Sequence, residues 1–236
     1  MRVYWLEQTE AEVPEQPERN GWLGAGERAR LDGLRFPKRR ADWLLGRWTA
    51  KHAVAEYLNL PSDFAALGDL EISAAADGAP EAFLAGKPAP VTISLSHRAG
   101  FAICAVAPAD TELGCDLEVI EPRIATFAAD YFSPEEQTLV AQSPLQEQPR
   151  LVALIWSAKE SALKALRAGL RLDTRCVIVS PADGTGIWHP LQIHYTGREF
   201  RGWWQTIGGM VRTLVVDPPA PPPTPLRRSE DPRRRL

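Results

Sequence analysis

Cysteine is scarce in this 236-residue chain: Cys104, Cys115 and Cys176 form an odd set with no CxxC spacing. That excludes a disulfide framework and a zinc site of the usual spacing, and fits a reducing compartment. Long apolar runs are missing as well. The stretch from Phe101 to Ala109 is about half of the ~20 residues that a spanning helix needs. After Met1-Arg2-Val3-Tyr4-Trp5-Leu6-Glu7 no signal-peptide apolar region follows, so a cytoplasmic protein with no membrane partner is expected. Charge of one sign is also scarce: the formal net charge is −3, which argues against a nucleic-acid partner. No G-x-S-x-G elbow is present to support a Ser-His-Asp hydrolase, and no internal repeat is visible.

What is present reads as a soluble globular chain, with 44% hydrophobic and 24% charged residues. Seven of its 21 prolines lie from Asp217 onward, ahead of an arginine-rich terminus. Proline donates no ladder hydrogen bond and fixes φ, so residues 217–236 are expected to be a disordered Pro/Arg-rich tail. The tail carries +2 and the body −5. Strands are predicted at Arg2–Glu7, Val91–His97, Phe101–Ala107, Glu112–Glu121, Arg175–Val179, Gln192–Thr196 and Met210–Asp217. Helical periodicity runs from Arg39 to Leu58 and from Arg150 to Ala168. Ser133-Pro134-Glu135-Glu136 is a capping box that opens a helix to about Gln142. The fold class expected is α/β (α+β), in blocks of residues 1–108 and 109–216.

Four stretches concentrate chemistry. In Gly114-Cys115-Asp116-Leu117-Glu118, strand alternation points both carboxylates to one face and Cys115 and Leu117 to the other. Such a pair suits Mg²⁺ with substrate phosphates, or is the solvated outer face of an edge strand. In Trp156-Ser157-Ala158-Lys159-Glu160-Ser161-Ala162-Leu163-Lys164, Glu160 and Lys164 lie one turn apart. They form either a surface ion pair or a third carboxylate with a lysine for phosphate. Lys159 lies off that face, as a support at the rim. Ser94-Leu95-Ser96-His97 ends a predicted strand with donors for an anion. Six cations against Asp42 give residues 35–51 a local +5, and Arg40, Arg47 and Lys51 share one helix face.

In this order, these stretches resemble the 4'-phosphopantetheinyl transferases of the Sfp type, in the holo-carrier-protein synthase superfamily. The resemblance rests on Phe36-Pro37-Lys38-Arg39-Arg40, Trp43-Leu44-Leu45-Gly46-Arg47 with Lys51, Gly86-Lys87-Pro88, and Ser94-Leu95-Ser96-His97. It extends through the GxDxE motif at residues 114–118, Phe132 with Glu136, and Trp156-Ser157-Ala158-Lys159-Glu160 with Lys164. It implies two similar subdomains related by a pseudo-two-fold, with the active site at their junction. It also implies transfer of the phosphopantetheine arm of coenzyme A to a serine of an acyl or peptidyl carrier protein, by a monomer.

The resemblance further implies that Asp116, Glu118 and Glu160 are Mg²⁺ ligands and that Lys164 stabilises the phosphate and leaving group. Arg40, Arg47, Lys51, Lys87, Pro88, Ser96 and His97 then form the coenzyme A cradle. A carrier serine needs a base; Glu160 is the first candidate and Glu136, which doubles as a helix cap, the second. One departure is Arg167, which stands where the family commonly has the first glycine of KAxGxGL. A coenzyme A-binding homologue without transfer activity is the alternative expectation.

Overall fold

The computed structural model describes residues 1–14 and 21–226. They divide into two compact units: Arg2–Asp110 with the C-terminal segment from Thr224, and Thr111–Pro223 with Met1. The first unit contains β1 (Tyr4–Thr9), α1 (Ala25–Asp32), α2 (Pro37–Tyr57), α3 (Phe64–Asp69), β2 (Leu70–Ala74), β3 (Pro80–Leu84), β4 (Lys87–Pro88), β5 (Val91–Arg98) and β6 (Phe101–Pro108). The second contains β7 (Glu112–Val119), α4 (Phe127–Tyr131), α5 (Pro134–Gln142), α6 (Gln148–Ala165), β8 (Val177–Pro181), β9 (His189–Tyr195), β10 (Arg198–Ile207) and β11 (Met210–Asp217). β12 (Thr224–Pro225) follows and belongs to the first unit. No described helix is long and apolar enough to cross a membrane.

Each unit lays one long helix on an antiparallel sheet. In the first, the strand order is β12-β1-β6-β5 beside a smaller sheet β2-β3-β4. Trp48, Ala50, Ala53 and Val54 of α2 are buried with Leu6, Ile93, Cys104 and Val106. In the second, the order is β7-β11-β10-β9-β8, and Leu154, Ile155, Ala158 and Ala162 of α6 are buried with Val177, Val211 and Val215. Alanines on the packed face bring each helix close to its sheet, and the apolar period set out by the sequence is the face that is buried. The register β1–β6 (Thr9↔Phe101) is matched in kind by β7–β11 (Val119↔Met210).

The two units share more than topology. In the second, Glu136 is the third residue of α5, and its Oε2 accepts from the backbone N–H of Ser133 at 2.8 Å. The same oxygen pairs with Lys159 Nζ at 2.8 Å, while Oε1 accepts from the Val179 N–H at 2.8 Å. Lys159 also donates to the carbonyls of Thr174 and Val177 and lies over the Phe132 ring. In the first unit, Glu27 accepts from the Gly24 N–H at 2.9 Å and from the Ile72 N–H at 3.0 Å. It pairs with Lys51 at 2.5 Å, and Lys51 donates to the carbonyls of Trp22 and Leu67 and lies near the Trp22 ring. Both lysines are fully buried. The two buried lysines stand in similar local sequences, Trp48-Thr49-Ala50-Lys51 and Trp156-Ser157-Ala158-Lys159. Too few of the surrounding residues match for the likeness to stand out without the partners.

Two expectations are corrected. The Pro-rich segment is ordered as far as residue 226: Trp203 Nε1 donates to the Ala220 carbonyl, and β12 pairs parallel with β1, Tyr4 opposite Thr224. Proline's missing donor is tolerated because β12 is an edge strand using the N–H groups of Thr224 and Leu226. Residues 227–236 lie outside the described set. The second long helix ends at Ala165, three residues early, where Arg167 takes φ +52 and Ala168 N–H closes onto the Leu163 carbonyl at 3.0 Å. A left-handed residue after the helix is the ordinary way to satisfy its last carbonyls, normally with glycine.

Candidate active site

β7 runs beneath α6, and the contact is set by Gly114. A Cβ at that position would lie 1.8 Å from the Ser161 carbonyl oxygen and 2.8 Å from the Ala165 nitrogen. The glycine of the GxDxE motif is thus a packing requirement, and it brings Asp116, two residues along the same face, under the helix. Hydroxyls complete the seam: Thr213 of β11, paired with Asp116, is hydrogen-bonded to Ser157 at 2.9 Å and to Ser161 at 2.7 Å. Cys115 and Leu117 are buried on the opposite face. Asp116 and Glu118 therefore share a face, and that face is covered by a helix rather than by solvent.

Lys164 donates to Asp116 Oδ1 at 2.8 Å and to the Cys115 carbonyl at 2.9 Å. Burial alone would lower its pKa, but Asp116 holds it above the ordinary lysine value. The Glu160 carboxyl is raised, first by burial and then by the nearby charges of Asp116 and Glu118, against the pull of Lys164. Arg123, in the loop after β7, donates to Glu118 Oε2 at 2.8 Å. Its position five residues on in an irregular loop leaves no periodic signal, and it was not foreseen. Asp116, Glu118, Glu160 and Lys164 are thus brought into electrostatic contact.

Three carboxylates offer the hard oxygen donors that Mg²⁺ takes. The donor chemistry fits a divalent cation. Among the described residues, however, no three acidic, histidine or cysteine groups are gathered closely enough to hold a metal ion; Asp116 and Glu118 are each drawn to a cationic side chain instead.

The other foreseen residues are placed as follows. Glu136 is a helix cap and the partner of buried Lys159, with both oxygens engaged in the scaffold. Lys159 is buried rather than at the rim. Burial raises the pKa of Glu136 and lowers that of Lys159, while each opposes the shift of the other. Arg40, Arg47 and Lys51 do share a face of α2: Arg40 donates to the Leu31 carbonyl, and Arg47 and Lys51 both face Glu27. Lys51 is corrected as a cradle residue, since its ammonium is buried with all three donor positions taken. Arg47 is mostly buried over the Trp43 ring, and burial lowers its pKa.

Ser96 and His97 are neighbours on one strand. They alternate on β5, Ser96 buried and His97 exposed, so they point to opposite faces. His97 lies beside α2, where a Cβ on Gly46 would be 3.8 Å from its ring. Lys87 and Pro88 form β4, exposed, after a turn in which Ala85 and Gly86 take φ +49 and +75.

Residues 112–214, which hold all four members of the carboxylate and lysine set, match the family model of the 4'-phosphopantetheinyl transferase superfamily. The 4'-phosphopantetheinyl transferase HetI of Nostoc sp. is 25% identical over 164 residues, 68% of this chain and 67% of that protein. A solved holo-(acyl-carrier-protein) synthase from Bacillus anthracis, in complex with CoA (3',5'-ADP), is 20% identical with a TM-score of 0.38, over 44% of this chain and 92% of that one. The Thermotoga maritima holo-[acyl-carrier-protein] synthase is 20% identical with a TM-score of 0.35, over 44% of this chain and 61% of that one.

Proposed function

We propose that this chain is a Mg²⁺-dependent 4'-phosphopantetheinyl transferase. It moves the phosphopantetheine arm of coenzyme A to a serine of an apo acyl or peptidyl carrier protein and releases adenosine 3',5'-bisphosphate. The supporting observation is the convergence of Asp116, Glu118, Glu160 and Lys164 beneath one helix, inside the segment that matches the superfamily.

In this mechanism Asp116, Glu118 and Glu160 hold Mg²⁺, which when bound neutralises charge on the diphosphate. Glu160, its carboxyl raised by burial, accepts the proton of the attacking serine hydroxyl. The serine oxygen bonds to the phosphorus that carries the pantetheine arm, and the bridging bond from that phosphorus to the bisphosphate breaks. Lys164 remains protonated, anchored by Asp116 and the Cys115 carbonyl. It stabilises the negative charge on the leaving oxygen, and the bisphosphate departs as the anion. Positioning and charge neutralisation dominate such displacements. Arg40, Arg47, Lys87, Pro88, Ser96 and His97 supply the coenzyme A contacts.

The test combines purified chain, Mg²⁺, coenzyme A and an apo carrier. The carrier should gain the mass of one phosphopantetheine on its serine, and Asp116→Ala or Glu160→Gln should abolish the gain with the fold intact. Tight coenzyme A binding without transfer to acyl or peptidyl carriers would replace this function by that of a non-transferring homologue.

A further inference from the structure

We propose that Arg123 is the resident counter-ion of Glu118. It holds that carboxylate while no divalent cation is bound and yields it when one binds, so it sets the metal affinity of the site. The proposal rests on the metal role assigned above to Asp116, Glu118 and Glu160.

Asp116 and Glu118 are each paired with a cationic side chain, Lys164 and Arg123, at 2.8 Å. These two cations are held differently. Lys164 is fixed by two acceptors, Asp116 Oδ1 and the Cys115 carbonyl. Arg123 touches Glu118 through one nitrogen, at 2.8 Å, where a guanidinium could form two parallel bonds. Its Nε is buried without a hydrogen-bond partner among the described residues. The contact with Glu118 is therefore a single-point one, and Arg123 is the less firmly held of the two cations.

A second resting place is already built. Arg123 Nη1 lies 3.7 Å from Glu121 Oε1, a half-buried carboxylate, and the guanidinium is 5.3 Å from the Phe127 ring centroid. Phe127 packs edge-on against Trp156, one turn before Glu160 on α6. On leaving Glu118, the guanidinium keeps a charge partner and an aromatic face without entering the position the metal takes. This also accounts for the lack of a ready three-ligand cluster among the described residues: Glu118 is turned to its arginine.

The experiment is titration calorimetry of the full chain with Mn²⁺ alone, without coenzyme A or carrier. Arg123→Gln should bind Mn²⁺ about three- to ten-fold more tightly than wild type, because a competing cation of modest strength has been removed. Arg123→Met, which keeps packing on Phe127, should do the same and guards against a fold defect in the first variant. The gain should vanish in a Glu118→Gln background. Unchanged or weaker affinity in natively folded Arg123 variants overturns the proposal, as does a gain that survives Glu118→Gln. If wild type and Asp116→Asn alike bind no Mn²⁺, the metal role of the carboxylates falls, and the proposal falls with it.

Discussion

Replacing Gly114 with alanine should uncouple the site while leaving every charged group in place. The new Cβ would meet the Ser161 carbonyl oxygen at 1.8 Å, whereas ordinary contact begins at about 3.4 Å, so α6 and β7 must part by roughly 1.5 Å. The clash is between backbones, and no flexible side chain can swing aside to relieve it. Ser161 is flanked on the helix by Glu160, so the displacement acts directly on the carboxylate that works with Asp116. A misplacement of about 1 Å costs on the order of 100-fold in rate, and overpacking costs about 1–3 kcal/mol of stability. A chain of this length would then melt roughly 3–10 °C lower. Steady-state transfer kinetics and a thermal melt measure both effects. Wild-type kcat/KM and an unshifted melting temperature in Gly114→Ala would refute the view that this glycine exists to bring β7 under α6.

Other consequences can be measured separately. Lys159→Ala leaves buried Glu136 uncompensated and should lose about 3–5 kcal/mol, as Lys51→Ala should through Glu27, both seen by denaturant titration. Transfer by the folded fraction should be far less affected than in Glu160→Gln. Arg167→Gly should stabilise by about 0.5–1 kcal/mol, since the residue sits at φ +52 and strain there outweighs glycine's extra freedom; a loss would show that the arginine makes a compensating contact. The Glu160 carboxyl is raised above 4.5, so the folded chain holds that proton more tightly than the unfolded one. Its contribution to stability is accordingly present below the unfolded value and lost as pH rises through the folded value. Divalent binding should therefore weaken as pH falls into that interval and release a proton within it, detectable by calorimetry in buffers of differing ionisation heat.

The carboxylate face was legible because strand alternation is strict: once Gly114–Glu118 is taken as a strand, Asp116 and Glu118 must face one way. The capping box at Ser133 and the long helices were legible for the same kind of reason, being local rules. What local rules miss is depth. Lys51 and Arg40 have the same spacing signature as a surface cationic face, yet one ammonium is sealed against Glu27, a partner 24 residues earlier in an unflagged helix. Lys159 was set at the rim for the same reason. Strands β2 and β3 and the long strand β10 are not legible because Gly202 and the mixed charges of Arg198, Glu199 and Arg201 blur the alternation, and because short strands lack a long enough pattern to count. Ser96 and His97 read as one donor cluster in sequence, and alternation separates them.

The pairing of β12 with β1 bears on how the chain is made. β1 is synthesised before β12, and most of the described chain separates the two. At ~5–20 residues/s, roughly 6–20 s pass between the completion of β6 and the arrival of β12. Throughout that interval the outer side of β1 offers unpaired backbone groups to any neighbouring strand. Nascent chains on one message are therefore most exposed to mispairing at Tyr4 and Trp5, and the last-made residues of the described chain are the ones that close that edge.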